Sequence, residues 1–291
     1  MAEPTAKLSS WYNKKSYGFS GKLTRCRRAG PVDMPHKHLK LLTKDHVAYV
    51  QLDRPHVNAL SQEFVAELAE LARSFQGNND VWIVTLTAAG HVFCAGADLK
   101  ERASMEEFQV EQSVKRIQTM VVAWIEVPQP VLAAVQGAAL GGGLELALAA
   151  DIIAASETAR LGFPEASLGI IPAATGTQRL AQRTTLGVAN KWVLGGSQFG
   201  AYEALGDGVI DYVFPQFSFE QEFNRVVSQV AACAPIALRQ AKKALNALPK
   251  QTLRRGLQAE SDCYAQLIPT EDRREALRAF AEKRKPIWRG Q

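Results

Sequence analysis

Two carboxylates stand where carboxylates are out of place. Glu145 interrupts Gly137-Ala138-Ala139-Leu140-Gly141-Gly142-Gly143-Leu144-Glu145-Leu146-Ala147-Leu148-Ala149-Ala150-Asp151, a stretch otherwise made of small and apolar residues. Glu165 lies in Arg160-Leu161-Gly162-Phe163-Pro164-Glu165-Ala166, bounded by glycine and proline. Three consecutive glycines reach main-chain angles closed to other residues and approach a ligand with no Cβ in the way. The free N–H groups at the start of the helix that follows favour an oxygen carrying negative charge. A second small-residue turn, His91-Val92-Phe93-Cys94-Ala95-Gly96-Ala97-Asp98-Leu99-Lys100-Glu101, also leaves its main chain open to a ligand. Two converging N–H groups suit an oxyanion. Two carboxylates in partly apolar surroundings can divide the roles of acid and base. The chemistry these pieces allow is proton transfer beside a carbonyl, with the carbonyl left unnamed. Each piece also has a plain reading: a dipole-favoured acid, a solvated loop Glu, and an ordinary strand-to-helix turn.

Other chemistries lack their residues. There is no G-x-G-x-x-G and no Walker A motif, so dinucleotide and P-loop readings fall away. Glu165-Ala166-Ser167-Leu168-Gly169 has Glu where a nucleophile elbow needs glycine, which argues against a serine hydrolase. The five histidines all lie in the first third and form no H-E-x-x-H pair, so no metal is expected. Cys26, Cys94, Cys233 and Cys263 are scattered with no C-x-x-C, which points to a reducing compartment without disulfides or a zinc site.

The elements that must position the two carboxylates read as α/β. Leu39 to Leu42 and His46 to Leu52 read as strands about the turn Thr43-Lys44-Asp45. Ser61 is a good N-cap for a helix carrying Phe64, Leu68 and Leu71 through Phe75. Val81 to Thr87 is a strand apolar on both faces, and strand, helix, buried strand makes a parallel unit. Asp98 marks another helix start. Met105 to Glu126 is an amphipathic helix with Phe108, Val114, Ile117 and Val121 on its apolar side, closed by Pro128 and Pro130. Pro130 to Gln136 reads as a buried strand, Leu144 to Ala150 as a helix, and Ile152 to Ala155 as a strand again. Gly176-Thr177-Gln178-Arg179-Leu180 starts a further helix. A short helix and a strand fill Ala201 to Phe214, and from Phe219 the chain is helical, ending in Glu271 to Lys285 capped by Thr270. The organisation expected is a basic extension over 1–36, a core over 37–230 and a helical region over 231–291.

Charge is unevenly spread. The net charge is +5, but residues 1–30 hold seven Lys or Arg against Glu3, leaving the rest of the chain at −1. A basic face for phosphate contacts is therefore not implied for the body. The serine-rich, acid-poor arm has the composition of a mitochondrial transit segment, with Glu3 atypical; the alternative is a disordered basic arm on a cytoplasmic protein. No run of about 18 apolar residues appears, so no membrane insertion is expected.

Phe93-Cys94-Ala95-Gly96-Ala97-Asp98-Leu99-Lys100, Gly137 to Glu145, Phe163-Pro164-Glu165 and Gly176 to Leu180 together resemble the enoyl-CoA hydratase/isomerase (crotonase) superfamily. The resemblance runs from about His38 to the C-terminus. Gly96 to Ala103 and Cys263-Tyr264-Ala265-Gln266 with Ile268-Pro269-Thr270 resemble the methylglutaconyl-CoA hydratase branch in particular. The resemblance implies a spiral of β-β-α units with C-terminal helices packing a trimer, often doubled to a hexamer. It implies an oxyanion hole from the N–H groups of Ala97 and Gly142 and the carboxylate pair Glu145 and Glu165. One, ionised, activates the water that adds to the β-carbon; the other, Glu165 by the family's usual assignment, protonates the α-carbon. Isomerases of the superfamily commonly keep one carboxylate, so the pair favours hydration. Substrate and CoA contacts are implied for Ala59, Ala95, Gly96, Ala97, Asp98, Leu99, Lys100, Gly142, Phe280 and Lys283, the last two reaching a neighbouring subunit's CoA. No cofactor is implied, since coenzyme A is part of the substrate.

Two departures carry weight. The glycine-rich run that usually follows Ile-Pro is here Pro172-Ala173-Ala174-Thr175-Gly176, and Ala173 falls where a glycine N–H often holds the catalytic water. An alanine keeps the N–H but not free access to positive φ. The helix Gln62 to Gln76 carries Glu67 and Glu70 with Arg73 its only basic residue, so RNA binding is expected to be weak and borne by the arm. The competing readings are an isomerase and a non-catalytic RNA-binding protein on the same fold.

Overall fold

The computed structural model describes residues 36–247, 270–282, 284 and 286–291; the arm and the 263–269 motif lie outside them. β1 (Leu39–Lys44) and β2 (Val47–Leu52) pair antiparallel. Asp45 and His46, both at positive φ, make the two-residue turn that matches strand twist. Ser61 caps α1 (Gln62–Ser74) by accepting from the Phe64 N–H. α1 buries Phe64, Val65, Leu68 and Leu71, side chains whose removal from water is worth about 1.5–3 kcal/mol each.

The chain then makes three similar turns. β3 (Ile83–Ala88) and β4 (Val92–Cys94) lead through α2 (Leu99–Arg102) into α3 (Glu107–Ile125). β5 (Val131–Val135) and β6 (Ala138–Leu140) lead into α4 (Gly142–Leu148). β7 (Ile152–Ser156) and β8 (Arg160–Gly162) lead through a 3₁₀ turn (Pro164–Leu168) into α5 (Gly176–Arg183). The first strands of the three turns, β3, β5 and β7, lie parallel in one sheet, and the second strands, β4, β6 and β8, lie parallel in another. Each turn thus adds one strand to each sheet, and the result is a spiral of β-β-α units. α6 (Leu186–Leu194), β9 (Gln198–Gly200), α7 (Ala201–Gly206) and β10 (Tyr212–Phe214) complete the sheets, in the orders β1-β2-β3-β5-β7-β10 and β4-β6-β8-β9.

α8 (Phe219–Ala231) covers the larger sheet with Phe219, Phe223, Val226 and Val227 over Val47, Ile83, Leu132 and Ala154. α9 (Pro235–Ala247) is fixed by Lys242, whose Nζ lies 2.6 Å from Asp151 and donates to the Gln129 carbonyl. A last helix spans Glu271–Ala281. Among the described residues no helix is long and apolar enough to cross a membrane.

Three expectations are corrected, and one strand was not read from the sequence. The glycine stretch is strand, turn and helix in itself, because Ala138–Leu140 pairs with β4 and β8. Gln198–Gly200 is likewise a strand, pairing with β8. Glu165 sits on a 3₁₀ turn, not in a loop, and is buried. Phe108, placed on the apolar side of α3, is 62% exposed, since the packing of α3 against α1 engages Ile117, Met120, Val121 and Trp124 instead.

Candidate active site

The second sheet delivers the site. Its parallel strands β4, β6 and β8 end side by side, and the residues just past their C-terminal ends are Gly96-Ala97, Gly141-Gly142 and Glu165. Ligand sites in α/β sheets form outside those ends because neighbouring turns diverge there. The Gly141 N–H bonds to the Gly162 carbonyl at 3.0 Å, which ties the end of β6 to the end of β8.

Two N–H groups face the opening. An ideal Cβ on Gly142 would lie 3.8 Å from both the Ala97 nitrogen and Glu145 Oε2, so these groups are neighbours. A Cβ on Gly96 would stand 2.7 Å from the Leu140 carbonyl oxygen and 3.2 Å from the Gly142 nitrogen. Only a glycine there lets the two turns close together. Among the described residues no hydrogen bond uses the N–H of Ala97 or of Gly142. Gly142 is the first residue of α4, where an N–H has no partner within the helix. The pair is a ready anion site backed by a helix N-terminus.

The carboxylates meet this pair from two sides. Glu145 is one turn into α4 and 3% exposed, and its Oε1 accepts from the N–H groups of Ala174 and Gly176, each at 2.8 Å. Burial pushes its carboxyl up to about 7; the two N–H bonds pull against this and the charge of Glu165 adds to it. Glu165 is 8% exposed and burial raises its carboxyl too. Its Oε2 is buried with no hydrogen-bond partner among the described residues. Its Oε1 rests over Gly141, where a Cβ would come within 2.6 Å. Gly141 has φ 53° and ψ −125°, a conformation closed to residues with side chains. The environments therefore differ in kind. Donors favour the ionised form of Glu145, whereas Glu165 has burial without donors on one oxygen, which favours the protonated form.

A cavity of about 730 Å³ opens from these groups. Its apolar wall comes from Leu99, Val110, Val114 and Ile117 on one side and from Leu168, Ile170 and Ile171 on the other. Of the residues expected at the site, Ala95, Gly96, Ala97, Leu99, Gly142, Glu145, Glu165 and Ala173 line it. Ala59, Asp98 and Lys100 do not. Asp98 caps α2 and pairs with Arg54 at 2.8 Å, and the Ala59 carbonyl accepts from Arg54, so this ion pair shapes the turn instead of reaching the cavity. The side chains of Phe280 and Lys283 lie outside the described residues. The left-handed residue of the 172–176 run is Thr175, at φ 82°, and not Ala173. Arg102 also lines the cavity, and among the described residues its guanidinium has no partner. Its place one turn after the Asp98 cap was the signal in the sequence. Among the described residues one group, His38, Glu63 and Glu67, brings metal-type ligand atoms within 4.8 Å of one another. It lies just before β1 and on α1, outside the cavity, with Lys37 and His38 already paired to Glu63.

Known proteins resemble the chain over most of its length. An enoyl-CoA isomerase/hydratase of Mycosarcoma maydis is 41% identical over 254 residues, covering 84% of this chain and 93% of that protein. The human mitochondrial methylglutaconyl-CoA hydratase is 38% identical, covering 80% of this chain and 70% of that protein. The crystal structure of an enoyl-CoA hydratase from Bacillus anthracis superposes with a TM-score of 0.85 at 40% identity, covering 88% of this chain and all of that one. Residues 43–291 match the enoyl-CoA hydratase/isomerase family, and the chain belongs to it.

Proposed function

We propose that the chain is an enoyl-CoA hydratase that adds water across the 2,3-double bond of an enoyl-CoA thioester. The observation that carries the reading is the convergence of two unlike buried carboxylates on two unspent N–H groups. The Ala97 and Gly142 N–H groups hold the thioester oxygen as it becomes enolate-like, a contribution of about 10²–10³ in rate for each donor. Glu145, ionised, takes a proton from water as the hydroxyl joins C3. Glu165, protonated, gives its proton to C2. Solvent exchange then returns a proton from Glu145 to Glu165. The Ala173 N–H lines the cavity without an acceptor among the described residues, which supports its place as the water holder. No group beyond the CoA of the substrate is called on. The test is product analysis with paired 2-enoyl- and 3-enoyl-CoA thioesters. Gain of one water by the 2-enoyl ester supports hydration. Double-bond migration in the 3-enoyl ester without hydration would replace the reading with an isomerase.

Arg102 favours an acyl group with a distal carboxylate, the chemistry named by the human relative. A guanidinium without a partner among the described residues, in an apolar cavity, suits a bidentate carboxylate. Arg102→Gln should lower kcat/KM for a carboxylated 2-enoyl-CoA by about tenfold or more and spare the plain ester. An equal rise in KM for both would place Arg102 on the CoA phosphates instead. The arm's composition and its mitochondrial relative support a mitochondrial location. A trimer or hexamer, with Phe280 and Lys283 completing a neighbour's CoA site, belongs to the same reading, as does weak, arm-borne RNA affinity.

A further inference from the structure

We propose that Arg179 is a positioning residue for Glu145: it locks α5 to α4 so that two N–H groups stay on the Glu145 carboxylate. The inference rests on Glu145 as the base of the proposed reaction.

The two helices are stitched at two points. At the first, the Ala174 and Gly176 N–H groups donate to Glu145 Oε1. At the second, Arg179 Nε and Nη2 donate to the Leu148 carbonyl, at 3.1 and 3.0 Å. Glu145 and Leu148 are three residues apart on α4; Gly176 and Arg179 are three residues apart on α5. Three residues are about 4.5 Å of helix rise, so each stitch lies one turn from the other on both helices. α4 and α5 are seven and eight residues long, too short to hold their shape without tertiary bonds. The start of α5 has no side-chain cap of its own. Thr175 is left-handed, and its hydroxyl is buried without a partner among the described residues. The place of Gly176 therefore depends on what holds α5 one turn further on. Leu148 O is at the C-terminal end of α4, where a cation is favoured.

The charges around the two stitches leave Arg179 to this task. Asp151 attracts it and Arg183 repels it, but Asp151 is bonded to Lys242 of α9 and to the Val131 N–H. Glu145 faces Glu165 from the 3₁₀ turn and shares the cavity with Arg102. β4 and β6 bring no ionisable group but Cys94, held to the Asn58 carbonyl, and Glu111, Lys115 and Arg116 of α3 are exposed. The N–H groups that Arg179 holds in place are thus the main local support for a negative Glu145.

Loosening α5 should weaken those bonds, and hydrogen bonds to a charged group correspond to about one to two pH units. The test uses Arg179→Met and Arg179→Lys in the full chain. Glu145 is titrated by infrared spectroscopy without substrate, with Glu145→Gln as the difference reference, and kcat for a 2-enoyl-CoA is followed against pH. Arg179→Met should raise the Glu145 titration by about one unit and lower kcat near pH 7 by about fivefold, with KM changed less than about twofold. Lysine, which keeps one donor, should shift it less. An unmoved Glu145 titration, whatever happens to the melting temperature, would make Arg179 merely structural. If Arg179→Met does not fold, Arg179→Gln, shorter and uncharged, is read in its place, and an unmoved titration there overturns the inference equally. A shift in a protein that does not hydrate enoyl-CoA would keep the positioning and refute the proposed function.

Discussion

Gly141→Ala is the sharpest perturbation of Glu165, the proposed acid. The new methyl meets two obstacles. Its own backbone, at φ 53° and ψ −125°, is costly for any L-residue, on the order of 1–3 kcal/mol. Its Cβ would also stand 2.6 Å from Glu165 Oε1, against the 3.4 Å at which ordinary contact begins. The carboxylate must retreat by roughly 0.8 Å, and a displacement of about 1 Å costs about 10²-fold when a reacting group is involved. kcat should therefore fall by about 30- to 100-fold, with KM nearly constant. Gly77→Ala separates the two effects, because Gly77 has φ 72° and nothing within 4 Å of its Cβ. It should lose stability in urea denaturation and keep its kcat. The assay is steady-state hydration of a 2-enoyl-CoA by both variants beside the parent. If Gly141→Ala turns over within about threefold of the parent, Glu165 is not held by this contact or does not donate the proton.

Two further outcomes follow from the same neighbourhood. Thr175→Gly removes a β-branched residue from φ 82° and should raise stability by about 1 kcal/mol in urea with kcat unchanged, since the flanking N–H groups remain; a loss of stability would mean the buried hydroxyl is doing more than the backbone. Glu145→Gln should stabilise the fold at alkaline pH: the folded carboxyl is raised to about 7, so stability is present below the unfolded value near 4.5 and is lost as pH climbs to 7, on the order of 3 kcal/mol at most. Melting curves at pH 5 and pH 8 check this, and a stabilisation no larger at pH 8 than at pH 5 would contradict it.

The larger elements were legible because their patterns are long. Phe64, Leu68 and Leu71 repeat at helical spacing, and Val131 to Val135 is apolar throughout, so both periods stand out over enough residues. β6, β8 and β9 are three residues each, below the length at which any period shows, and their pairing depends on strands elsewhere in the chain. The segments of the site were legible for a different reason. Glycine turns and misplaced carboxylates are local signals, and strands β4, β6 and β8 then bring them together. Burial of Glu165 was not legible, because it comes from Gly141 pressing on it across 24 residues of sequence. Nor was the choice of Thr175 over Ala173 for the left-handed position. Composition of the run says that some residue must turn there, and only the start of α5 says which one.

The proposed joint action of Glu145 and Glu165 on an enoyl-CoA thioester is tested most directly by a double-mutant cycle on kcat. Glu145→Gln and Glu165→Gln should each lower kcat by at least about a hundredfold, and the double variant should lose far less than the product of the two. KM should move little throughout. If Glu165→Gln hydrates at near the parent rate while Glu145→Gln is inactive, one carboxylate suffices and the hydratase account is wrong.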